Sequence, residues 1–322
     1  MNIEIKRTTE LNSNEWEIYT SSFNQVFNKI FTIDDFKQKY LTTIDGLSYH
    51  SLLMQDELIV GGCTVIPFEY FIKNTIVRVG LAVDVFILDT YRSHPMILYQ
   101  MYNKLKKSLT PNKIEIVIAV PNDTAFSYWK NIIKWKEVGL LNYNVLPVKL
   151  GNVISKLPAI LNIFSFFGYQ ILLCCSYLFH STERISDIRI NRTNRIIEKQ
   201  RYTAEHKKII LQDAFFGYRI VNEEGIIACY LIDFYNTKKL IRDSYSLNKA
   251  IRYICSNEKV DLIIFIGKLT FSQILLIKVP FKSEPRHLHF MIDIIIDDNI
   301  KDIDFVYNIN NWDFGLFNYD VR

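Results

Sequence analysis

Apolar and polar positions in the first 150 residues follow two different periods. Residues 3–8 alternate with period two and predict a strand. Trp16, Tyr19, Phe23, Val26 and Phe27 recur at helical spacing and predict a helix starting near Ser13. Thr32-Ile33-Asp34-Asp35 predicts a second helix, with Thr32 as N-cap and two acids in the first turn. Residues 49–54 and 58–67 predict two strands around the polar turn Gln55-Asp56-Glu57, and residues 77–88 form a longer run rich in β-branched side chains. A helix is expected over 94–109 with Pro95 in its first turn. A buried strand over 114–120, a helix over 122–133 and a strand over 135–146 follow. Three successive strands argue against a doubly wound parallel sheet. The pattern predicts an α/β (α+β) fold, a mixed and mostly antiparallel sheet flanked by helices.

Residues 157–179 contain no charged side chain. The run is long enough for a bilayer, but Pro158, Asn162, Ser165, Gly168 and Gln170 interrupt it, and Gly168 is placed to break it into two helices. These interruptions favour a buried linker or an in-plane membrane anchor over a true span. Basic residues follow from Arg184 to Lys208, interspersed with acids. They read as a solvated helix face, or, beside the apolar run, as a surface for anionic lipid. Strand and helix patterns then resume. Strands are expected over 216–221, 226–235, 262–267 and 287–297, and helices over 243–255 and 270–278. Val117-Ile118-Ala119-Val120 with Phe126-Ser127 is echoed by Ile263-Ile264-Phe265-Ile266 with Phe271-Ser272. The expected organisation is 1–150, an apolar linker helix or hairpin over 151–182, and a second, degenerate domain over 183–322.

Composition fits this picture. The chain has 322 residues, 49% apolar and 14% aromatic, enough for two packed cores, and its net charge of +4 does not by itself imply nucleic acid. Its five cysteines form no CxxC pair and its six histidines no HxxxH pair. His180 and Glu183 read as a solvated pair. His287 and His289 would share a strand face with Asp293, near Glu284, and read as an ordinary strand with two half-buried rings, so no metal is expected. The pattern fits a reduced, cytoplasmic protein with no signal peptide.

The chemistry concentrates after the long strand. Val83-Asp84-Val85-Phe86-Ile87-Leu88 runs into Asp89-Thr90-Tyr91-Arg92-Ser93-His94-Pro95-Met96, and a helix begins at once. A helix start with an arginine beside it is an anion site. Asp84, in an apolar strand, is a candidate general base, since burial raises a carboxyl's pKa; the alternative is a strand carboxylate satisfied by backbone or tyrosine hydroxyls. Here the chain resembles the acyl-CoA loop of the GNAT acetyltransferase superfamily. Asn122-Asp123-Thr124-Ala125-Phe126-Ser127-Tyr128-Trp129, with Lys134 to Gly139 after it, resembles that superfamily's next motif. The resemblance covers about residues 1–148, and the two halves together are similar to tandem-GNAT proteins of bacterial type.

It implies acetyl-CoA or another acyl-CoA as co-substrate, held by Val85, Phe86, Ile87, Arg92, Ser93, His94, Met96 and Asn122. The acceptor it implies is an amine or hydroxyl, including a sugar of a surface polysaccharide. Catalysis would fall to Asp84 and Tyr128, with amides near Val85 to Ile87 holding the oxyanion. Pro95 and Ile97 stand where the family's loop favours glycine, and Trp129 where it often has a catalytic tyrosine. Two other classes remain open: a non-catalytic GNAT-fold protein associated with membrane, and a Fem-type aminoacyl transferase.

Overall fold

The computed structural model describes residues 1–92, 94, 96–154, 158, 160–178, 181–183, 186–296 and 302–319. Ser93, Pro95, both ends of the uncharged run, His180, Arg184 and Asp297 lie outside the described residues. The chain begins β1 (Asn2–Arg7), α1 (Ser13–Phe27), α2 (Ile33–Leu41), β2 (Tyr49–Gln55), β3 (Leu58–Ile72), β4 (Thr75–Ile87), α3 (Ile97–Leu109), β5 (Ile116–Ala119), α4 (Asp123–Tyr128) and β6 (Lys136–Leu141). It continues β7 (Tyr143–Pro147), α5 (Leu150–Val153), α6 (Leu161–Ser176), β8 (Ile188–Ile190), α7 (Arg195–Arg201), β9 (Lys207–Leu211), β10 (Ala214–Glu223) and β11 (Ile226–Asn236). Last come α8 (Ser244–Asn257), β12 (Leu262–Ile266), β13 (Ile277–Lys278), β14 (Leu288–Ile294), α9 (Ile303–Val306) and β15 (Trp312–Asp313).

These elements form two compact units, each with its own mixed sheet flanked by helices. The first comprises Met1–Gly139, Asp187–Gln200 and Leu288–Trp312; the second comprises Leu140–Ser186, Arg201–His287 and Asp313–Arg322. The first sheet runs β1-β2-β3-β4-β5-β14-β6, and the second β13-β7-β12-β11-β10-β9. The units interleave along the chain, whereas the pattern of elements predicts consecutive segments split near 150 and 183. The expected single strand over 135–146 is two, divided at Asn142: β6 stays in the first sheet and β7 pairs with β12 in the second. Hydrophobic period reports that a segment is a strand, not which strand it pairs with.

In the first unit Leu53, Val65, Met101, Leu105, Val117 and Met291 belong to the core shared by the sheet and α3. On the other face α1 and α2 contribute Trp16, Tyr19, Phe23, Phe36 and Tyr40, all buried. The expected cap at Thr32 is present: its side chain accepts from the Asp35 amide while Asp35 reaches back to the Thr32 amide. In the second unit Phe216, Leu231, Phe234, Ile251 and Phe265 pack together. The units share one device. A long antiparallel hairpin, β3–β4 or β10–β11, leads through a helix into a parallel neighbour, β5 or β12. The echoed motifs at 117–120 and 263–266 fall on these two strands.

Two further expectations are corrected. No helix forms over 270–278. Phe271, Leu275 and Leu276 are buried together, the Gln273 side chain bonds both main-chain groups of Leu276, and Ile277–Lys278 pairs with β7 instead. Gly168 does not break the apolar run, since α6 passes through it with open space beside it.

Candidate functional site

Strand β4 carries the first of the candidate residues. It pairs with β3 along its length, but with β5 only at Val79–Ile116, Gly80–Val117 and Leu81–Ile118. Beyond Leu81, β4 continues to Ile87 with no β5 partner, so the two parallel strands part. A bulge interrupts the β3 side of the same stretch. Thr64 faces Val83 and Gly62 faces Phe86, which leaves Asp84 and Val85 opposite Cys63 alone. Asp84 sits in the left-handed region, φ 50°. An aspartate tolerates that conformation better than a branched residue, but inside a strand it costs on the order of 1 kcal/mol or more.

The bulge aims the Asp84 carboxylate toward α1 and α2, and no part of that side chain reaches solvent. Its Oδ2 accepts from the Tyr40 hydroxyl at 2.5 Å and pairs with Lys39 Nζ at 2.7 Å. From Tyr40 a buried chain of hydrogen bonds runs inward. Tyr40 Oη meets Tyr19 Oη at 2.8 Å, and Tyr19 meets Thr64 Oγ1 at 3.3 Å. Thr64 meets His50 Nδ1 at 2.9 Å, and His50 Nε2 meets Thr8 Oγ1 at 2.8 Å. Burial, then the Asp84 charge, pushes the Tyr40 hydroxyl well above its ordinary range, so it is a donor to the carboxylate. Lys39, by contrast, is about a third exposed.

The other candidate residues divide by face, as alternate positions of a strand must. Val85 and Ile87 are half-buried and pack on the α3-side core, as do Tyr91, Leu98, Phe126 and Tyr128. Phe86 lies with Asp84 on the opposite face, its ring 5.4 Å from Tyr19 and 5.8 Å from Phe23. Arg92 follows the short turn Asp89–Tyr91. Its Nε donates to the Ile87 carbonyl at 2.8 Å and its Nη1 pairs with Asp89 at 2.7 Å. The guanidinium is thus folded onto the end of β4, half-exposed, just ahead of α3. His94 and Met96 are exposed beside that helix start, and α3 begins at Ile97 rather than at 94. Asn122 caps α4, its Oδ1 accepting from the Ala125 amide at 2.8 Å. Tyr128 is half-buried, and burial pushes its hydroxyl up.

Solved structures share this architecture across both units. A probable N-acyltransferase from Enterococcus faecalis V583 matches with a TM-score of 0.56 at 12% identity, over 92% of this chain and 73% of its own. A GCN5-related N-acetyltransferase from Anabaena variabilis matches at 0.56 and 12%, over 91% and 73%. The chain has the GNAT fold. Saccharomyces cerevisiae N-myristoyltransferase with bound myristoyl-CoA also matches, at 0.53 and 10%, over 90% and 82%. No family model matches the sequence, and no curated protein does.

The departures from the GNAT motifs take on structural meaning. Ile97 buries its branched side chain in the core, away from the loop before it. Trp129 is a core residue, packed edge-on against Trp135 at 4.5 Å and Tyr102 at 5.7 Å. Asp293 does not join the histidines: it accepts from Tyr102 and pairs with Lys106, while His289 bonds Glu137 at 2.8 Å and stacks on Phe126. In the second unit the loop between β11 and α8 does end in an arginine, Arg242, which the sequence reading passed over. It is 1% exposed and held by Asp233 and Asp313, with Glu183 at 3.8 Å. Lys238, in the same loop, pairs with Asp213.

Sequence reasoning also missed Lys39, Tyr40, Tyr19 and His50. The available signal was the pair of tyrosines on the apolar faces of two helices, each needing a hydroxyl partner once buried. His50 carries a test. Burial pushes it down from 6.5 to about 3, against the opposing pull of Asp84, so it is folded neutral. The unfolded imidazole takes up a proton near 6.5, and the folded one only near 3. Stability is therefore fully present above the unfolded value and falls as pH drops toward the folded one, by up to ~1.4 kcal/mol per pH unit from this group. Urea midpoints at neutral and mildly acid pH should show a shallower loss for His50→Gln than for the unaltered chain. Equal slopes would assign the acid sensitivity to other groups.

Proposed function

We propose that the chain is an acyltransferase that moves an acetyl or longer acyl group from acyl-CoA to an amine or hydroxyl acceptor, including a sugar of a surface polysaccharide. The observation that carries this reading is the parting of β4 from β5 beside the Asp84 bulge, with Arg92 at the mouth of the following helix. The pantetheine arm would enter where the two strands part, along Val85, Phe86 and Ile87. Arg92, the α3 amides, Ser93, His94, Met96 and Asn122 would face the pyrophosphate and adenosine end. The neighbours support acyl-CoA as co-substrate, since two bear N-acyltransferase or N-acetyltransferase names and a third holds myristoyl-CoA.

Asp84 takes the acceptor's proton through water, since its side chain is closed to direct contact, and the freed lone pair attacks the thioester carbonyl. Amides between Val85 and Ile87 hold the developing oxyanion. Collapse re-forms the carbonyl, breaks the carbon–sulfur bond and releases the CoA thiolate, with the Tyr128 hydroxyl as its proton donor. The protein would work in the cytoplasm and touch a membrane peripherally through residues 157–179; no helix among the described residues is long and apolar enough to cross one.

Titration calorimetry with acetyl-CoA, a long-chain acyl-CoA and free CoA tests the cofactor. Binding of all three is expected, with about a tenfold to hundredfold weakening in Arg92→Ala, since a charge-assisted contact contributes about 1.5–3 kcal/mol. No heat of binding at millimolar ligand would leave a GNAT fold serving as a non-catalytic module.

A further inference from the structure

Helix α6 presents two unlike faces. One packs on its own unit. There Tyr169 and Leu173 enter the core, Asn162 accepts from the Gly151 amide at 2.7 Å, and Ser165 accepts from the Leu150 amide at 3.1 Å. Near its other end Leu173 O accepts from the Asn248 side-chain Nδ2 at 3.0 Å, and Ser176 bonds Asn248 as well. The polar side chains that seemed to interrupt the apolar run at Asn162 and Ser165 are therefore used up against protein. The other face is a stripe at alternating spacings of four and three: Ile160, Phe164, Phe167, Ile171, Cys174 and Leu178. It is open, with Phe164 65%, Phe167 61%, Ile171 63% and Leu178 82% exposed. A contiguous stripe of large side chains in water is a docking surface rather than scattered apolar exposure.

The chemistry around the stripe selects the occupant. A protein partner would meet about one hydrogen bond per 100–200 Å² of interface, and the stripe offers none beyond a weak thiol. Cations flank it at both ends. Beside its N-terminal end a cavity of about 390 Å³ is lined by Ile163 and Phe166 from α6, with Lys259, Glu258 and Lys149, the last paired with Asp261 at 3.3 Å, also on its wall. At its C-terminal end the Arg252 guanidinium lies 5.4 Å from the ring of the half-exposed Tyr177. A hydrocarbon-seeking stripe bracketed by cations and an interfacial tyrosine complements a layer of acyl chains under anionic headgroups.

We infer that α6 seats the protein flat on an anionic phospholipid membrane. The stripe enters the acyl region, and Lys259 and Arg252 lie at the phosphates. This rests on the peripheral-contact reading above and assigns its face and its lipid. Flotation of the full chain with vesicles tests it, using phosphatidylcholine alone and phosphatidylcholine mixed with phosphatidylglycerol. The unaltered protein should float with the mixed vesicles and much less with phosphatidylcholine. The variant Phe164→Ser, Phe167→Ser, Ile171→Ser should lose at least about tenfold in bound fraction, with circular dichroism and thermal midpoint unchanged because these side chains make no core. Arg252→Glu with Lys259→Glu should weaken binding to the mixed vesicles and remove its salt dependence. If the triple-serine variant floats like the unaltered protein, another surface makes the membrane contact and the assignment to α6 is overturned. If the unaltered protein floats with neither vesicle, the peripheral-contact reading falls as well. If instead it sediments as a dimer that the serine variant abolishes, the stripe is a self-interface.

Discussion

Asp84→Asn should lower kcat/KM by about a hundredfold to ten-thousandfold, the range expected for removal of a positioned general base. Affinity for CoA should stay nearly unchanged, because the Asp84 side chain faces Tyr40 and Lys39 of α2 rather than Arg92 and the α3 helix start. The amide keeps the shape of the carboxylate and its contact with the Tyr40 hydroxyl, and the Lys39 ammonium it releases is about a third exposed and can turn to water. The fold should therefore persist, and a thermal midpoint measured beside the rates checks that. Tyr40→Phe separates a base from a strand residue that merely satisfies the bulge. It removes one donor to the carboxylate without opening a cavity, so the acid limb of the pH–rate profile should move to higher pH while the plateau rate changes little. Full activity of Asp84→Asn with a panel of amine and hydroxyl acceptors would return Asp84 to a purely structural role.

The largest stability effect is expected at Arg242→Met. Its guanidinium is the buried partner of Asp233 at 3.0 Å and of Asp313, with Glu183 close by. Methionine would remove the guanidinium charge that compensates these carboxylates in a site that admits almost no water. Breaking a buried pair from one side costs about 3–5 kcal/mol. Urea unfolding should show a loss of that size. Adding Asp233→Asn and Asp313→Asn to Arg242→Met should recover part of it, because the stranded charges are then gone. A single variant as stable as the unaltered protein would mean that water or rearranged donors reach the carboxylates. The comparison with Arg92 explains why the second unit gives its arginine no ligand role here. Arg92 is half-exposed and held by one carbonyl and one surface aspartate, whereas Arg242 is consumed by the core.

Much of the fold was legible. The helix at 13–27, the Thr32 cap, the hairpin strands, the long strand ending at Ile87 and the buried strands at 116–119 and 262–266 follow from local period and capping chemistry, which tertiary contacts reinforced. The failures share a cause. Residues 270–278 had helical composition, but two consecutive buried leucines and a strand partner in β7 outweighed propensity. The segment 135–146 read as one strand because nothing local marks that Asn142 separates two sheets. Of the candidate site, the stretch from Asp84 to Arg92 was singled out from its order of strand, acid, arginine and helix, but the side chains packed around Asp84 were not: Lys39, Tyr40, Tyr19 and His50 come from three other elements.

The sequence by itself determined most of the strands and helices, the repeated hairpin–helix–strand order, and the position of an acid and an arginine at the end of β4. These are properties of neighbours along the chain, set by side-chain period and helix-end chemistry. Only the tertiary structure decided that β7 and β14 sit in different units from the strands that precede them. It alone aimed Asp84 at Tyr40 through a bulge, sealed Arg242 among carboxylates, and turned the polar side chains of α6 inward so that its apolar stripe faces out. Each of these depends on which distant backbone supplies a hydrogen bond or excludes water, and no local pattern encodes that.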